Sequence, residues 1–82
     1  MHLLWGGKIT KGGDYEIPEG IYTGGIEIDT KDDTTDEVTI RITGEVTFTQ
    51  PNTIFIDVEH AKLVTIENDG HTVNLSGHHF MD

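Results

Sequence analysis

The sequence predicts an all-β chain, built as a short three-sided parallel β-helix, or solenoid, of about three coils, and three observations carry that expectation. Helix signals are nearly absent: ten glycines are scattered along the 82 residues, and no longer stretch keeps an apolar period near 3.6. Short bursts of alternating apolar and polar residues, rich in Val, Ile, Thr and Phe, recur along the chain and suit a pleated, half-buried surface. Finally, successive bursts match one another at a nearly constant spacing, the mark of a repeat architecture.

In order, the predicted strands are Lys8-Ile9-Thr10, Tyr15-Glu16-Ile17, Gly25 to Asp29, Val38 to Ile42, Glu45 to Thr49, Thr53 to Val58, Leu63 to Glu67 and Thr72 to Leu75. Between them stand Gly12-Gly13, Pro18-Glu19-Gly20, Gly24-Gly25, Thr43-Gly44, Gln50-Pro51-Asn52, Asn68-Asp69-Gly70 and Ser76-Gly77. These residues tolerate positive φ or pre-set a turn, so the strands must be short. Only 29–37, Asp-Thr-Lys-Asp-Asp-Thr-Thr-Asp-Glu, reads as an extended polar loop, expected to be exposed.

Val38-Thr39-Ile40 recurs 26 residues later as Val64-Thr65-Ile66, and Val46-Thr47-Phe48 recurs 27 later as Val73-Asn74-Leu75. Ile26-Glu27-Ile28 recurs 28 later as Ile54-Phe55-Ile56. Ile9 and Ile17, each 29 before Val38 and Val46, suggest a looser first copy. Three faces thus repeat in one order, and stacking buries an apolar row that no single coil can bury alone.

The stretches Tyr15-Glu16-Ile17-Pro18-Glu19-Gly20-Ile21-Tyr22-Thr23-Gly24 and Val64-Thr65-Ile66-Glu67-Asn68-Asp69-Gly70-His71-Thr72-Val73 resemble the repeats of right-handed parallel β-helix proteins of the pectin-lyase-like kind. The resemblance covers most of 8–77 and consists of common residue types. A rival topology fits the same letters. Asp69-Gly70 between alternating runs is a hairpin signal that would set Ile66 opposite Val73 and Val64 opposite Leu75, giving an antiparallel meander closing into a small barrel or sandwich.

The whole chain, 1–82, reads as one domain. Its termini, 1–7 and 76–82, fall outside the repeat, and Leu3, Leu4, Trp5, Phe80 and Met81 there are expected to cap the stack or to seat a second copy in a homo-oligomer. No cysteine is present, so disulfides and thiolate metal sites are excluded. The short apolar run at the amino end lacks a basic flank and the length of a membrane span, so neither targeting nor membrane insertion is expected, and the default location is the cytoplasm.

Catalytic apparatus is not evident. Lyases of the resembling fold rely on acidic calcium ligands and a basic residue along a long face, whereas Arg41 is the lone arginine and three coils offer little groove. The lone serine, Ser76, lacks a strand-turn-helix context. The adjacent pair His78 and His79 beside Asp82 has metal-ligating types, but neighbours on an extended chain point opposite ways, and terminal polar decoration is the plainer reading. The acidic loop lacks the glycine and closing glutamate of an EF-hand. No metal and no cofactor are expected.

What remains is acidity: fifteen Asp and Glu against five Lys and Arg, a formal charge of −10. That balance opposes direct nucleic-acid binding and favours a basic protein surface as partner. Asp29, Asp32, Asp33, Asp36 and Glu37 in the loop, with Glu67 and Asp69 at a later corner, are the expected contacts; the plainer alternative is that the charge maintains solubility. The expected role is therefore non-enzymatic: an acidic protein occupying a basic surface, that of a nucleic-acid-binding effector, as an inhibitor or DNA mimic. In size and charge alone the chain is similar to phage-encoded anti-defence inhibitors such as anti-CRISPR proteins, which would place it in a host cell cytoplasm. The alternative role is a structural β-helical module of a phage or surface assembly, oligomerising through its ends.

Overall fold

The computed structural model describes residues 2–3, 7–49, 54–75, 77 and 79–81. Its strands are β1 (His2–Leu3), β2 (Gly7–Ile9), β3 (Gly13–Ile17), β4 (Gly20–Tyr22), β5 (Ile26–Asp29), β6 (Glu37–Ile42), β7 (Val46–Phe48), β8 (Ile54–His60), β9 (Leu63–Glu67), β10 (Val73–Asn74) and β11 (His79–Met81). No helix occurs among the described residues. The strands form three sheets in the orders β1-β3-β6-β9 (sheet A), β11-β8-β5-β2 (sheet B) and β10-β7-β4 (sheet C). Every strand pair is parallel, and from β3 onward the chain enters sheets A, C and B in a fixed rotation. The fold is all-β and β-helix-like, with no closed barrel.

The rotation follows from the side-chain pattern. Within β6 the burial alternates without a break, with Val38, Ile40 and Ile42 turned inward and Glu37, Thr39 and Arg41 outward. Apolar rows from the three sheets meet in one core of Ile9, Ile17, Tyr22, Ile26, Ile28, Val38, Ile40, Ile42, Val46, Phe48, Phe55 and Ile56. Parallel strands cannot be joined by tight hairpins, so each turn instead carries the chain to the next sheet. Backbone bonds lock the corners rung to rung: the Thr43 amide donates to the Ile17 carbonyl at 3.1 Å and the Thr49 amide to the Tyr22 carbonyl at 3.0 Å.

Two of the three expected repeat offsets match the register, since Val38 pairs with Val64 and Val46 with Val73. The third is displaced: Ile26 pairs with Ile56, not Ile54. Phe55 is the cause. It is fully buried beside Ile56, against the expected alternation, and its ring lies 4.9 Å from that of Phe48. The looser first copy also falls differently, with Ile9 beside Ile28 in sheet B and Ile17 beside Ile42 in sheet A. The antiparallel meander is overturned, because Ile66 pairs with Ile40 and Val73 with Val46. Asp69-Gly70 does adopt the positive φ values of 55° and 79° that a type I′ turn requires, and the His71 amide closes it onto the Asn68 carbonyl at 3.2 Å. The turn here bends the chain between two sheets instead of reversing it within one.

Burial fades toward the carboxyl-terminal side. Val64, Ile66, Val73 and Leu75 are only partly buried, and Leu63 is half exposed.

Candidate functional site

The acidic loop between β5 and β6 is organised by its own carboxylates. Thr30 at its start is the one buried polar residue among those described, and its hydroxyl lies 3.1 Å from the His60 carbonyl one rung on. Asp29 accepts the Lys31 amide at 3.0 Å, easing the turn in which Lys31 takes a φ of 61°. Asp32 Oδ1 accepts the amides of Thr34 at 2.8 Å and Thr35 at 3.1 Å, together with the Thr34 hydroxyl at 2.7 Å. Those bonds to the charged form, led by the hydroxyls of Thr35 and Thr34, hold its pKa far below the ordinary carboxylate range. Asp33 meets His60 Nδ1 at 3.1 Å, and that bond, with the charges of Asp33, Asp29 and Glu59, raises the histidine pKa.

The other expected contact residues are placed as follows. Glu37 opens β6 and reaches Lys62 at 3.7 Å. Glu67 is bound to Arg41 of the neighbouring strand, with Nη2 at 2.8 Å and Nε at 2.9 Å. The Asp36 carbonyl accepts the Lys62 amide at 2.8 Å, and Asp69 is exposed on its turn. Asp29 also lies 3.9 Å from Lys8, with its side chain only 16% exposed. The structure therefore gathers 29–37 into one loop but ties Asp29, Asp32, Asp33 and Glu37 to local partners, and leaves Glu67 and Asp69 on a separate corner.

Outward positions of the stacked strands form rows. In sheet B, Lys8, Glu27 and Asp57 align, with Lys8 3.5 Å from Glu27. In sheet A, Glu16, Arg41 and Glu67 align, and the guanidinium is bound to Glu67. In sheet C, Ile21, Thr47 and Asn74 align, a row with no charge. Glu19 and Glu45 stand at the corner leading into that row and, with Gly20, Ile21 and Thr47, line an open depression.

Sequence reasoning missed this corner because Pro18-Glu19-Gly20 reads as a turn and β4 was not expected as a strand. Ile21-Tyr22 precedes Thr47-Phe48 by the same 26 residues that separate other rungs, and that spacing was the available signal.

No group of three metal-ligating side chains placed to hold an ion occurs among the described residues. His79 lies in β11 opposite Ile54, whereas His78 and Asp82 fall outside the described residues, as do Leu4 and Trp5. Leu3 pairs through its backbone with Glu16, and Phe80 and Met81 belong to β11 on the edge of sheet B. No described helix is long and apolar enough to cross a membrane.

Comparison with known proteins finds no match among family models, curated proteins or solved structures.

Proposed function

We propose that the chain is a non-enzymatic binding protein, a β-helix of about three coils that occupies a basic surface of a partner protein. In its sharper form the partner normally holds nucleic acid and is competed as by a DNA mimic, in the manner of the anti-CRISPR-like inhibitors that the chain resembles in size and charge. The observation that carries this reading is the set of carboxylates fixed on outward rungs and corners of a parallel stack, in a chain of net charge −10. Parallel strands lie about 4.8 Å apart, so side chains in successive rungs present charge at a regular spacing. Lys8 and Arg41 interrupt the rows of sheets B and A, but the net charge of −10 still attracts a complementary groove and accelerates encounter with it. Among the described residues Asp32 is bound by Thr34 and Thr35, Asp33 by His60, Glu37 by Lys62 and Glu67 by Arg41, whereas Glu19, Glu45 and Asp69 are exposed. A cytoplasmic setting belongs to the same reading.

The test is capture of partners from a bacterial lysate on the tagged chain at low and moderate salt. A basic nucleic-acid-handling protein that is released by salt and displaced by DNA supports the reading. Binding that DNA does not displace rejects the mimic.

A structural role is favoured by a different observation, the half-exposed Leu63 and half-buried Val64 and Ile66 on β9, the last strand in sheet A. End-to-end assembly would cover them. It predicts a mass that rises with concentration in sedimentation, and a concentration-independent monomer rejects it.

A further inference from the structure

Most acidic groups that the sequence singled out already have partners, and this directs attention to those that do not. Glu19 and Glu45 take part in no ion pair or side-chain hydrogen bond among the described residues. They are nonetheless held in place by the backbone. The Gly20 amide donates to the Glu45 carbonyl at 3.1 Å, and Gly44 nests so closely that a Cβ there would stand 2.6 Å from that of Glu19. The buried Tyr22 braces the same corner, its hydroxyl donating to the Pro18 carbonyl at 2.6 Å.

Beside this carboxylate pair stands Ile21, 75% exposed, the most exposed large apolar side chain among the described residues. Its ladder neighbour Thr47 is uncharged, and no lysine or arginine lines the depression. An apolar centre with a charged rim is the anatomy of a contact hot spot. A cation placed in the depression would be attracted by both carboxylates.

We propose that this depression receives an arginine or lysine side chain of the basic partner protein, its aliphatic stem lying on Ile21 and its charged head between Glu19 and Glu45. The inference rests on the binding role proposed above and names its contact. Arginine is the better occupant, since its planar fork can reach two carboxylates at once and its stem and face pack on apolar surface. In the acidic loop of 29–37, by contrast, Asp29, Asp32, Asp33 and Glu37 are already engaged by neighbours.

The probe is the peptide acetyl-Gly-Arg-Gly-Arg-Gly-amide, titrated into the full chain labelled with ¹⁵N. Amide shifts are expected to centre on 19–22 and 44–47. Glu19→Gln with Glu45→Gln should weaken binding by about tenfold or more, the scale of a lost charge-assisted hydrogen bond, and Ile21→Thr should weaken it while keeping a β-branched residue in the strand. All three positions are exposed or lie on the open face, so unchanged far-ultraviolet dichroism and melting confirm an intact fold. Shifts centred on 29–37, shifts spread evenly over the acidic residues, or undiminished binding by the double variant would overturn the assignment. The lysate capture separates the two claims. A basic protein still captured by the double variant sinks the site and leaves the binding role standing, whereas no salt-sensitive capture by the parent chain sinks the role itself.

Discussion

Ile40 and Ile66 are partners in one ladder of sheet A, yet their replacement by alanine should differ sharply in effect. Ile40 is fully buried and lies between β3 and β9, opposite Tyr15 on one side and Ile66 on the other. Removing three carbons there forfeits roughly 2.4 kcal/mol of transfer free energy at about 0.8 kcal/mol per methylene. A residual cavity between two covering strands raises the total to about 3–4 kcal/mol. Ile66 is half-buried on the outermost described strand of that sheet, so about half of the transfer energy is at stake and no closed cavity forms, giving about 1 kcal/mol. A chain of 82 residues has a total stability on the order of 4–12 kcal/mol, so the first change removes a large part of it and the second a small part. Urea unfolding followed by dichroism reads the difference: at a slope of about 1 kcal/mol per molar, the midpoints should fall by roughly 3 M and 1 M. Equal losses, or a larger one for Ile66→Ala, would refute the assignment of Ile40 to the interior of the stack and Ile66 to its margin.

Three further outcomes are expected. Gly44→Ala places a methyl group 2.6 Å from the Glu19 Cβ and 3.1 Å from its backbone, so the corner must shift at a cost of about 1–3 kcal/mol; an unchanged melting temperature would show that the two corners do not nest. Asp32 titrates below the ordinary carboxylate range in the folded chain because Thr34 and Thr35 bind its charged form. Its contribution is therefore present above the unfolded pKa and lost as pH falls toward the folded one, and Asp32→Ala should lower stability at pH 7 and flatten the acid limb of a urea-midpoint profile, with an unchanged profile contradicting the loop geometry. His60 behaves oppositely: its pKa is raised above 6.5, first by the bond that its ring N–H donates to Asp33, so its contribution is present below the unfolded pKa and lost as pH rises through the folded one. A ring-proton titration should place His60 above 6.5 and Asp33→Asn should bring it back; an identical titration in the variant would dismiss the pair.

Much of the fold was legible because its inward residues repeat. Val38 and Val64, or Val46 and Val73, lie one rung apart in the structure and are marked by the same alternation in the sequence. Alternation failed at one aromatic side chain, Phe55, which turns inward to meet Phe48 and Tyr22, and the expected register failed on the same strand, where Ile26 pairs with Ile56. Asp69-Gly70 misled for another reason. Its dihedral angles were read correctly, but a turn fixes local direction only, and the apolar rows on either side decide whether the next strand folds back or moves on.

The candidate site was less legible. Charge density drew attention to 29–37, yet density does not distinguish a carboxylate that faces outward from one that folds its own loop, as Asp32 does around Thr34 and Thr35. Glu19 and Glu45 are far apart in sequence and come together only through the register of Gly20 with Val46, which no local pattern displays.

The parallel stack sets Glu19 beside Glu45 and leaves Ile21 on an outer face. The most direct test is the set of interstrand proton contacts in a nuclear Overhauser spectrum of the labelled chain. The account predicts backbone contacts linking Val46 with Val73 and Ile40 with Ile66 in parallel register. Contacts linking Ile66 with Val73 and Val64 with Leu75 across an antiparallel hairpin would contradict it.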